Sequence, residues 1–290
     1  MIAAPGGILA PALAGLAAPC HIMRSRRAVN HPRERSCMSD AIARYPSLSG
    51  KAVLVTGGAS GIGAAMVEAF AAQESRVFFI DIDETAGAAL EEKLGAKVRF
   101  VAADLTDIAA LRAAVAAIEA EAGHGLDVLV NNAARDDRHA WDSVEPEQWR
   151  RTLALNLDHQ FFATQAVVPG MQARGGGAEI LFGSRSWMRG LPNMVGYTTA
   201  KAAINGLTRT LAREFGPQGI RVNCVVPGAI VTDRQRRLWT PPEADGTILE
   251  RQALKFRLTP FHVARVALFL ASDEAGGCTG GNVFVDGGVM

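Results

Sequence analysis

The stretch Ala52–Gly63, AVLVTGGASGIG, decides the fold of this 290-residue chain. Its first part, Ala52–Thr56, is an apolar, β-branched run typical of a buried parallel strand, and Gly61–Ala72 has the composition of a helix. Small residues between a strand and a helix let the backbone approach a pyrophosphate, and the helix N-terminus supplies N–H donors. The stretch therefore predicts a dinucleotide-binding turn, although a plain strand-to-helix turn has a similar pattern.

Beyond this turn, short β-branched runs alternate with alanine-rich helical stretches. The alternation predicts an α/β fold of the Rossmann type, with a doubly wound parallel sheet in a single domain. The further predicted strands are Arg76–Asp81, Val98–Ala102, Asp127–Val130, Ala178–Phe182, Ile220–Val225 and Asn282–Val285. The further predicted helices are Glu84–Leu94, Ile108–Ala122, Gly196–Phe215 and Thr259–Ala271. Pro146–Ala173 is predicted to be mostly helical, and residues 233–258 are predicted to be irregular.

The composition indicates a folded, globular protein. Apolar residues make up 49% of the chain and charged residues 20%, and the net charge of +1 argues against a nucleic-acid partner. No apolar run reaches the roughly 18 residues of a membrane span. The four cysteines show no metal-ligand spacing, so we predict no metal site and a reduced, cytoplasmic setting.

Residues 1–37 differ from the rest of the chain. They are rich in Ala, Pro and Gly, and their first arginine, Arg24, follows the apolar region, which is the wrong order for a secretory signal. An arginine-rich targeting peptide is an alternative, but three prolines would break its helix. We expect residues 1–37 to be a disordered or non-native extension and 38–290 to be the folded domain.

Tyr197 and Lys201 are four residues apart, so they share one face of a predicted helix. A lysine ammonium there can favour the ionised form of a phenol, whose ordinary pKa is about 10. Ser184 lies thirteen residues upstream of the tyrosine. The tyrosine–lysine spacing alone is a weak signal, but with the glycine turn it indicates oxidation of an alcohol by a nicotinamide cofactor.

Asp81 ends the second predicted strand, eighteen residues after Gly63. An acid at about this distance binds the adenosine ribose of NAD and repels the 2′-phosphate of NADP. No Arg or Lys lies between Thr56 and Gly63. The sequence therefore favours NAD, although an aspartate can also simply end a strand.

These motifs, in this order, resemble the short-chain dehydrogenase/reductase family over roughly 240 residues. The motif Asn131-Asn132-Ala133 departs from the family pattern at Ala134, where glycine is usual. The resemblance implies four catalytic residues, namely Asn156, Ser184, Tyr197 and Lys201. The cofactor-binding residues that it implies are Gly57, Ser60, Gly61, Ile62, Gly63, Asp81, Ile82, Asp104, Leu105, Asn132, Ala133, Tyr197, Lys201, Pro227, Gly228, Ile230 and Thr232. It also implies a homotetramer.

Within the family, the sequence resembles the bacterial NAD-dependent D-xylose 1-dehydrogenases. The segments that carry this resemblance include DDRH at 136–139, CVVPG at 224–228 and WTPPE at 239–243. It implies substrate contacts by Asp136, Asp137, Ser186, Trp187 and Trp239. Each has a simpler alternative: a solvated loop charge, a rim hydroxyl, or an aromatic ring that packs or anchors a loop. Arg185 is a departure, because a long cation beside Ser184 could alter sugar selectivity.

The resemblance implies NAD-dependent oxidation of an aldose, D-xylose first, at C1 to a sugar lactone. Tyr197 would be the general base, and residues 233–258 would form a lid over the substrate. One alternative is another reaction on the same fold, such as a 3-oxoacyl or steroid carbonyl reductase. A catalytically silent NAD-binding regulator is the second alternative, but such a protein has no need to keep all four catalytic positions.

Overall fold

The computed structural model of the chain describes residues 42–289. The prediction for residues 1–37 therefore lies outside the described residues. Within the described part, seven parallel strands form one sheet in the order β3-β2-β1-β4-β5-β6-β7. They are β1 Ala52–Thr56, β2 Arg76–Asp81, β3 Val98–Ala102, β4 Val128–Asn131, β5 Gly177–Phe182, β6 Ile220–Pro227 and β7 Asn282–Val285.

Helices connect the strands and cover both faces of the sheet. They are α1 Gly61–Ala72, α2 Glu84–Leu94, α3 Ile108–Ala122, α4 Pro146–Leu153, α5 His159–Arg174, α6 Val195–Phe215, α7 Asp233–Leu238, α8 Asp245–Arg251 and α9 Pro260–Ala271. None of the helices within 42–289 is long and apolar enough to cross a membrane. The predicted doubly wound α/β fold is confirmed.

The strand order reverses beside β1, which pairs with β2 on one side and with β4 on the other. In open α/β sheets, ligands bind at such a reversal, outside the carboxyl ends of the strands. The glycine turn follows β1 at this edge, and β4 and β5 end beside it. The topology therefore brings the predicted site residues to one edge of the sheet.

Alternate residues of β1 point to opposite layers of the core. Val53 and Val55 pack in the layer that contains α1 and α9, whereas Leu54 packs in the layer of α3, α5 and α6. The side chains of Val53, Leu54 and Val55 are fully buried. This explains the continuous apolar run in β1, because a central parallel strand is covered on both faces.

The prediction that Pro146–Ala173 is mostly helical is confirmed, and the structure adds a feature that the sequence did not indicate. A π-helical segment, Ala154–Asp158, separates α4 from α5. Within it, Asn156 donates from Nδ2 to the carbonyl of Thr152 at 2.9 Å and accepts from the backbone N–H of Arg135 at 3.0 Å. A single wide turn of this kind barely changes the helical periodicity of the sequence, and it is frequent at functional sites.

The prediction of irregular structure for 233–258 is wrong, because α7 and α8 lie there. Thr232 accepts a hydrogen bond from the backbone N–H of Gln235 and so caps α7. Arg236 and Arg257 both pair with Asp245, which is the first residue of α8. A cap and ion pairs hold these two helices. Because neither helix buries a residue, the sequence has no hydrophobic periodicity that would predict them.

A carboxyl group is buried inside the sheet on β5. Glu179 is 1% exposed and accepts hydrogen bonds from Asn131 Nδ2 at 3.1 Å and from the hydroxyl of Thr164. Its Oε2 has no hydrogen-bond partner among the described residues. Burial raises the pKa of Glu179 to about 7, although both hydrogen bonds oppose this.

We expect Glu179→Gln to be more stable than the wild type above pH 7. The pKa of Glu179 in the folded chain lies above its ordinary 4.5, so the wild type loses stability as the pH rises from 4.5 to about 7. The loss should be on the order of 3 kcal/mol. Glutamine carries no such charge, so the difference between the two proteins should shrink towards pH 5. Urea unfolding at several pH values measures it, and a difference that does not vary with pH would contradict the prediction.

Candidate active site

The turn after β1 is packed too closely for side chains. Gly57 and Gly61 have φ angles of +66° and +56°, in the left-handed region that favours glycine. A Cβ atom at Gly57 would lie 2.7 Å from the Cα of Ala133, and one at Gly63 would lie 1.8 Å from the carbonyl oxygen of Gly57. These contacts explain why glycine stands at each of the three positions.

Helix α1 begins immediately after this turn, with Ser60 as its N-cap. The amide groups of Gly61, Ile62 and Gly63 belong to its first turn, so they have no acceptor within the helix. Together with the positive end of the helix dipole, such amides bind anions. This end of α1 therefore fits the pyrophosphate of a dinucleotide.

The loop after β4 holds the glycine turn in place. Asn132 donates from Nδ2 to the carbonyl oxygens of Thr56 and Gly57 at 3.1 and 2.9 Å. The backbone N–H of Ala133 donates to the hydroxyl of Thr56 at 3.2 Å. These contacts tie β1 to β4, and they place Asn132 and Ala133 against the turn that the sequence predicts for the cofactor.

Asp81 lies at the end of β2, beside the glycine turn. Its Oδ2 accepts from the backbone N–H of Ala59 at 2.9 Å, and its Oδ1 accepts from the N–H of Asp83 at 3.1 Å. The next residue, Ile82, is 69% exposed. The carboxylate is therefore held against the glycine turn, and an apolar side chain lies open next to it.

Asp104 follows β3 at the same edge of the sheet. Its carboxylate accepts from the backbone N–H of Thr106 at 2.9 Å and from the Thr106 hydroxyl at 2.8 Å. Leu105, between them, is buried. These bonds fix the shape of the loop beside the predicted adenine end of the cofactor.

The four predicted catalytic residues come from three elements. Asn156 lies in the π-helical segment, Ser184 follows β5, and Tyr197 and Lys201 lie on α6. Tyr197 is hydrogen-bonded to Ser184. Lys201 is 1% exposed, and its Nζ donates to the carbonyl of Phe182 at 2.8 Å and lies 5.8 Å from the centre of the Tyr197 ring. The fold therefore brings together residues that are up to 45 positions apart in sequence.

Burial disfavours the charged forms of both the tyrosine and the lysine. It raises the pKa of Tyr197 to about 12, although the hydrogen bond with Ser184 opposes the shift. It lowers the pKa of Lys201 to about 8. The nearby charge of Asp136 raises the pKa of Tyr197 further. The sequence suggested that Lys201 would favour the phenolate, but in this structure burial dominates.

The segment after β6 runs along the same edge from Pro227 to Thr232. A Cβ atom at Gly228 would lie 2.7 Å from the Cα of Asp286, so the chain passes closely under the C-terminal strand. Ile230 is 4% exposed. The side chain of Thr232 lies against the glycine turn, since its Cγ2 is 3.3 Å from the position of a Cβ at Gly61. This segment therefore runs from the residue after β7 to the glycine turn.

Two of the predicted substrate residues lie in the loop after Ser184. Ser186 is 6% exposed, so it is buried rather than on an open rim. Its backbone N–H donates to the Ser184 hydroxyl at 3.1 Å. Trp187 is partly buried. The Ser186 hydroxyl and the Trp187 indole N–H are both buried without a hydrogen-bond partner among residues 42–289.

Asp136 and Asp137 contact helix α7. Asp136 accepts from Gln235 Nε2 at 2.9 Å and lies 3.5 Å from Arg234 Nε. Asp137 pairs with Arg234 at 2.8 Å and with Arg135 at 3.2 Å. Both carboxylates are therefore engaged with protein cations or amides, and they join the loop after β4 to the predicted lid.

Trp239 follows α7 and is partly buried. The guanidinium carbon of Arg138 lies 4.2 Å from the centre of its ring. Its indole N–H is buried with no partner in the described part of the chain. The stacking supports the loop-anchoring alternative for this residue, and it adds a second link between the two loops.

Arg185 turns away from the predicted substrate towards the C-terminal strand. Its Nε lies 3.1 Å from Asp286 Oδ2, and its guanidinium also donates to the carbonyl of Val289. The guanidinium carbon lies 5.5 Å from the centre of the Phe284 ring. Because these contacts hold the guanidinium at the C-terminal segment, they do not support an effect of Arg185 on sugar selectivity.

Sequence reasoning missed several residues that support the site. Gln160 donates to the carbonyl of Phe182 at 3.3 Å and accepts from its N–H at 3.2 Å, so it fixes the carbonyl that holds Lys201. Gln160 lies one helical turn after Asn156, and that spacing was the available signal. No pattern pointed to Gln235 or Arg234, because their partners follow a different strand.

The chain is similar to several known proteins. A family model described as enoyl-(acyl carrier protein) reductase matches residues 57–290. D-xylose 1-dehydrogenase of Caulobacter vibrioides is 49% identical over 254 residues, which covers 87% of this chain and 99% of the relative. A Rhizobium meliloti protein named "Probable galactose dehydrogenase GalD" is 47% identical over 252 residues, which covers 86% and 98%.

More distant relatives share the fold. A 3-alpha-(or 20-beta)-hydroxysteroid dehydrogenase of Mycobacterium tuberculosis is 38% identical and covers 84% of this chain and 90% of its own. A solved structure of a short chain dehydrogenase/reductase family protein superposes with a TM-score of 0.75 at 33% identity, covering 83% of this chain and 98% of that one.

The glycine turn, the sheet order and these matches place the chain in one class: it belongs to the short-chain dehydrogenase/reductase family. It is an oxidoreductase that acts on the CH–OH group of a small molecule with a nicotinamide cofactor.

Proposed function

We propose that the protein oxidises an aldose at C1 to the lactone, with D-xylose as the preferred substrate and NAD as the hydride acceptor. One observation carries the proposal: two relatives named for sugar oxidation are 49% and 47% identical over nearly their whole lengths. The arrangement of Ser184, Tyr197 and Lys201 supports the same chemistry.

In the proposed reaction, Tyr197 is the general base. Its phenolate oxygen takes the proton from O1 of the sugar, and the Ser184 hydroxyl holds that oxygen by a hydrogen bond. The C1–H bond breaks with its electron pair as the C1=O bond of the lactone forms. The bound nicotinamide supplies the acceptor for that hydride.

Lys201 and Asn156 act behind the tyrosine. The buried ammonium of Lys201 would favour the phenolate by its charge, and it would be the group that holds the ribose of a bound nicotinamide. Asn156, fixed by its bonds to Thr152 and Arg135, supports a water that carries the proton away past Lys201. The hydrogen bond from Lys201 to Phe182 keeps the ammonium at the end of β5.

The choice of NAD rests on Asp81. Its carboxylate is bonded to the glycine turn through Ala59, so a 2′-phosphate at the same ribose would meet a fixed negative charge. The neighbouring Ile82 provides no compensating cation.

The steroid alternative is favoured by relatives named as hydroxysteroid dehydrogenases, at 38% identity. Three polar groups near Ser184 and in the lid, namely the Ser186 hydroxyl and the indole N–H groups of Trp187 and Trp239, are buried without partners in the described part of the chain. An unpaired buried polar group costs about 1–3 kcal/mol. The several hydroxyl groups of a sugar offer more partners for such groups than the few hydroxyl or keto groups of a steroid. These groups support a sugar.

We also propose a cytoplasmic homotetramer in which residues 38–290 are the catalytic domain and residues 1–37 are dispensable. The exposed apolar side chains Phe161 on α5 and Val195 on α6 support contacts between copies through these helices. We expect a chain that begins at Met38 to sediment as a tetramer with full activity. A monomer at micromolar concentration would contradict the proposed assembly.

We expect D-xylose to be oxidised faster than arabinose, galactose or glucose, and NAD to be used faster than NADP. The absorbance of the reduced cofactor measures each rate. A panel in which steroids or 3-oxoacyl compounds react and sugars do not would overturn the sugar assignment. Equal rates with NADP would overturn the role of Asp81.

We expect Tyr197→Phe to lower kcat by roughly 10²–10⁴-fold, because no phenol oxygen remains to take the proton. The ring packing is kept, so NAD affinity measured by calorimetry should change little. The other tyrosine of the chain provides a matched control, since Tyr45→Phe should retain activity. A Tyr197→Phe enzyme with more than about a tenth of the wild-type kcat would contradict the mechanism.

A further inference from the structure

The side chain of Gln160 is fully buried in the first turn of α5, and the proposed reaction does not use it. Its Nε2 donates to the backbone carbonyls of Phe182 and Asn156 at 3.3 and 3.4 Å. Its Oε1 accepts from the backbone N–H of Phe182 at 3.2 Å. One amide group therefore joins the end of β5 to the π-helical segment.

The contact with Phe182 lies where β4 has ended. Asn131, the last residue of β4, is paired in register with Leu181, and β5 extends one residue beyond this pair to Phe182. A glutamine side chain carries the same kinds of donor and acceptor as a peptide group. Gln160 can therefore bond with both backbone groups of Phe182, and it supports β5 beyond the end of the neighbouring strand.

The backbone of Gln160 is itself held in place. Its carbonyl accepts from Asn131 Nδ2 at 3.2 Å and from the hydroxyl of Thr164 at 2.7 Å. Both donors are buried side chains, on β4 and on α5 respectively. Hydrogen bonds in such a buried network reinforce one another in the low dielectric of the interior. The side chain of Gln160 therefore extends from a fixed position, and its amide can determine where the carbonyl of Phe182 lies.

Both ends of this link carry residues of the proposed reaction. The carbonyl of Phe182 accepts from Lys201 Nζ at 2.8 Å, and this ammonium lies 5.8 Å from the centre of the Tyr197 ring. At the other end is Asn156, which is 1% exposed. A displacement of about 1 Å in a catalytic group can lower a rate by roughly 10²-fold. The position of the Gln160 amide therefore matters for the rate although it lies behind the site.

We propose that Gln160 is a positioning residue that holds Lys201 and Asn156 at a fixed separation. It acts on Lys201 through the carbonyl of Phe182, and on Asn156 through the backbone of the π-helical segment. The inference rests on the proposed function, in which Asn156 and Lys201 together carry the proton away from Tyr197.

Gln160→Leu tests this role, because it removes the three hydrogen bonds of the amide and keeps a side chain of similar size. We expect kcat to fall roughly ten- to a hundredfold, since Lys201 loses its fixed acceptor. The KM for D-xylose should change little, because Gln160 acts through other residues. Should the branched side chain prevent folding, Gln160→Met gives the same test with an unbranched chain. A wild-type kcat in the folded variant would overturn the proposal.

Thr164→Val is the matched control. It lies one turn further along α5, and its hydroxyl bonds with the carbonyl of Gln160 and with Glu179. Its loss should lower the melting temperature but leave kcat unchanged, because the contacts of Phe182 remain. Equal losses of kcat in the two variants would show that both act through stability alone. In a Lys201→Ala background, Gln160→Leu should cost much less than in the wild type, and an undiminished loss would contradict an action through Lys201.

A measurement on the ammonium itself is independent of the substrate. Lys201 is 1% exposed, so its Nζ protons should exchange slowly enough for detection by NMR of the protein labelled with ¹⁵N-lysine, and Lys201→Ala identifies the signal. Gln160→Leu should shift or broaden this signal, whereas Thr164→Val should leave it in place. An unchanged signal in Gln160→Leu would overturn the proposal. If the signal responds but no sugar is oxidised, the proposed function fails and the positioning of Lys201 by Gln160 stands.

Discussion

The close approach of β1, β4 and helix α1 at the glycine turn is the constraint on which the rest of the structure depends. A single added carbon at Gly63 would stand 1.8 Å from the carbonyl oxygen of Gly57, a separation that no packing adjustment accommodates. Because the turn is this tight, α1 starts with its amides directed at the edge of the sheet, and Asn132 can reach two carbonyls from the neighbouring strand. The same closeness brings Asp81 within hydrogen-bond distance of the turn. A dinucleotide site is therefore a consequence of backbone packing before any side chain contributes to it.

Burial has opposite effects on the two groups that matter for proton transfer. It raises the pKa of Tyr197 to about 12 and lowers that of Lys201 to about 8, because each group loses the hydration of its charged form. At neutral pH the ligand-free site thus holds a neutral phenol beside an ammonium. The burial of the Lys201 ammonium is partly compensated by its hydrogen bond to the carbonyl of Phe182. Gln160 donates to the same carbonyl and fixes its position. The Tyr197 phenol has the side chain of Ser184 to favour its ionised form, and the effect of burial outweighs it.

The sequence predicted the sheet and its bounds well, because central parallel strands are apolar on both faces and glycine has few substitutes at a turn with positive φ. It predicted which residues meet at the carboxyl edge, since the family pattern marks Ser184, Tyr197 and Lys201. It missed what depends on contacts between distant segments. The π-helical turn around Asn156 keeps nearly the same periodicity as an α-helix, and Arg185 pairs with Asp286 about a hundred positions away. A partner that is distant in sequence determines the direction of a long side chain such as that of Arg185. The residues next to the arginine in sequence therefore do not predict its direction.

The glycine turn and helix α7 are held by different kinds of contact, so the turn is rigid and the helix is easier to displace. The turn is fixed by buried backbone and by packing that water cannot replace. Helix α7 buries no residue, and it is held by Asp136, Asp137 and the pairing of Arg236 with Asp245. Exposed ion pairs contribute little, about 0–1 kcal/mol each, because water solvates the separated charges nearly as well. Separating α7 from the loop after β4 therefore costs little free energy, whereas opening the turn would disrupt the core. For the proposed function, this difference lets substrate enter and product leave past α7 while the glycine turn keeps its position.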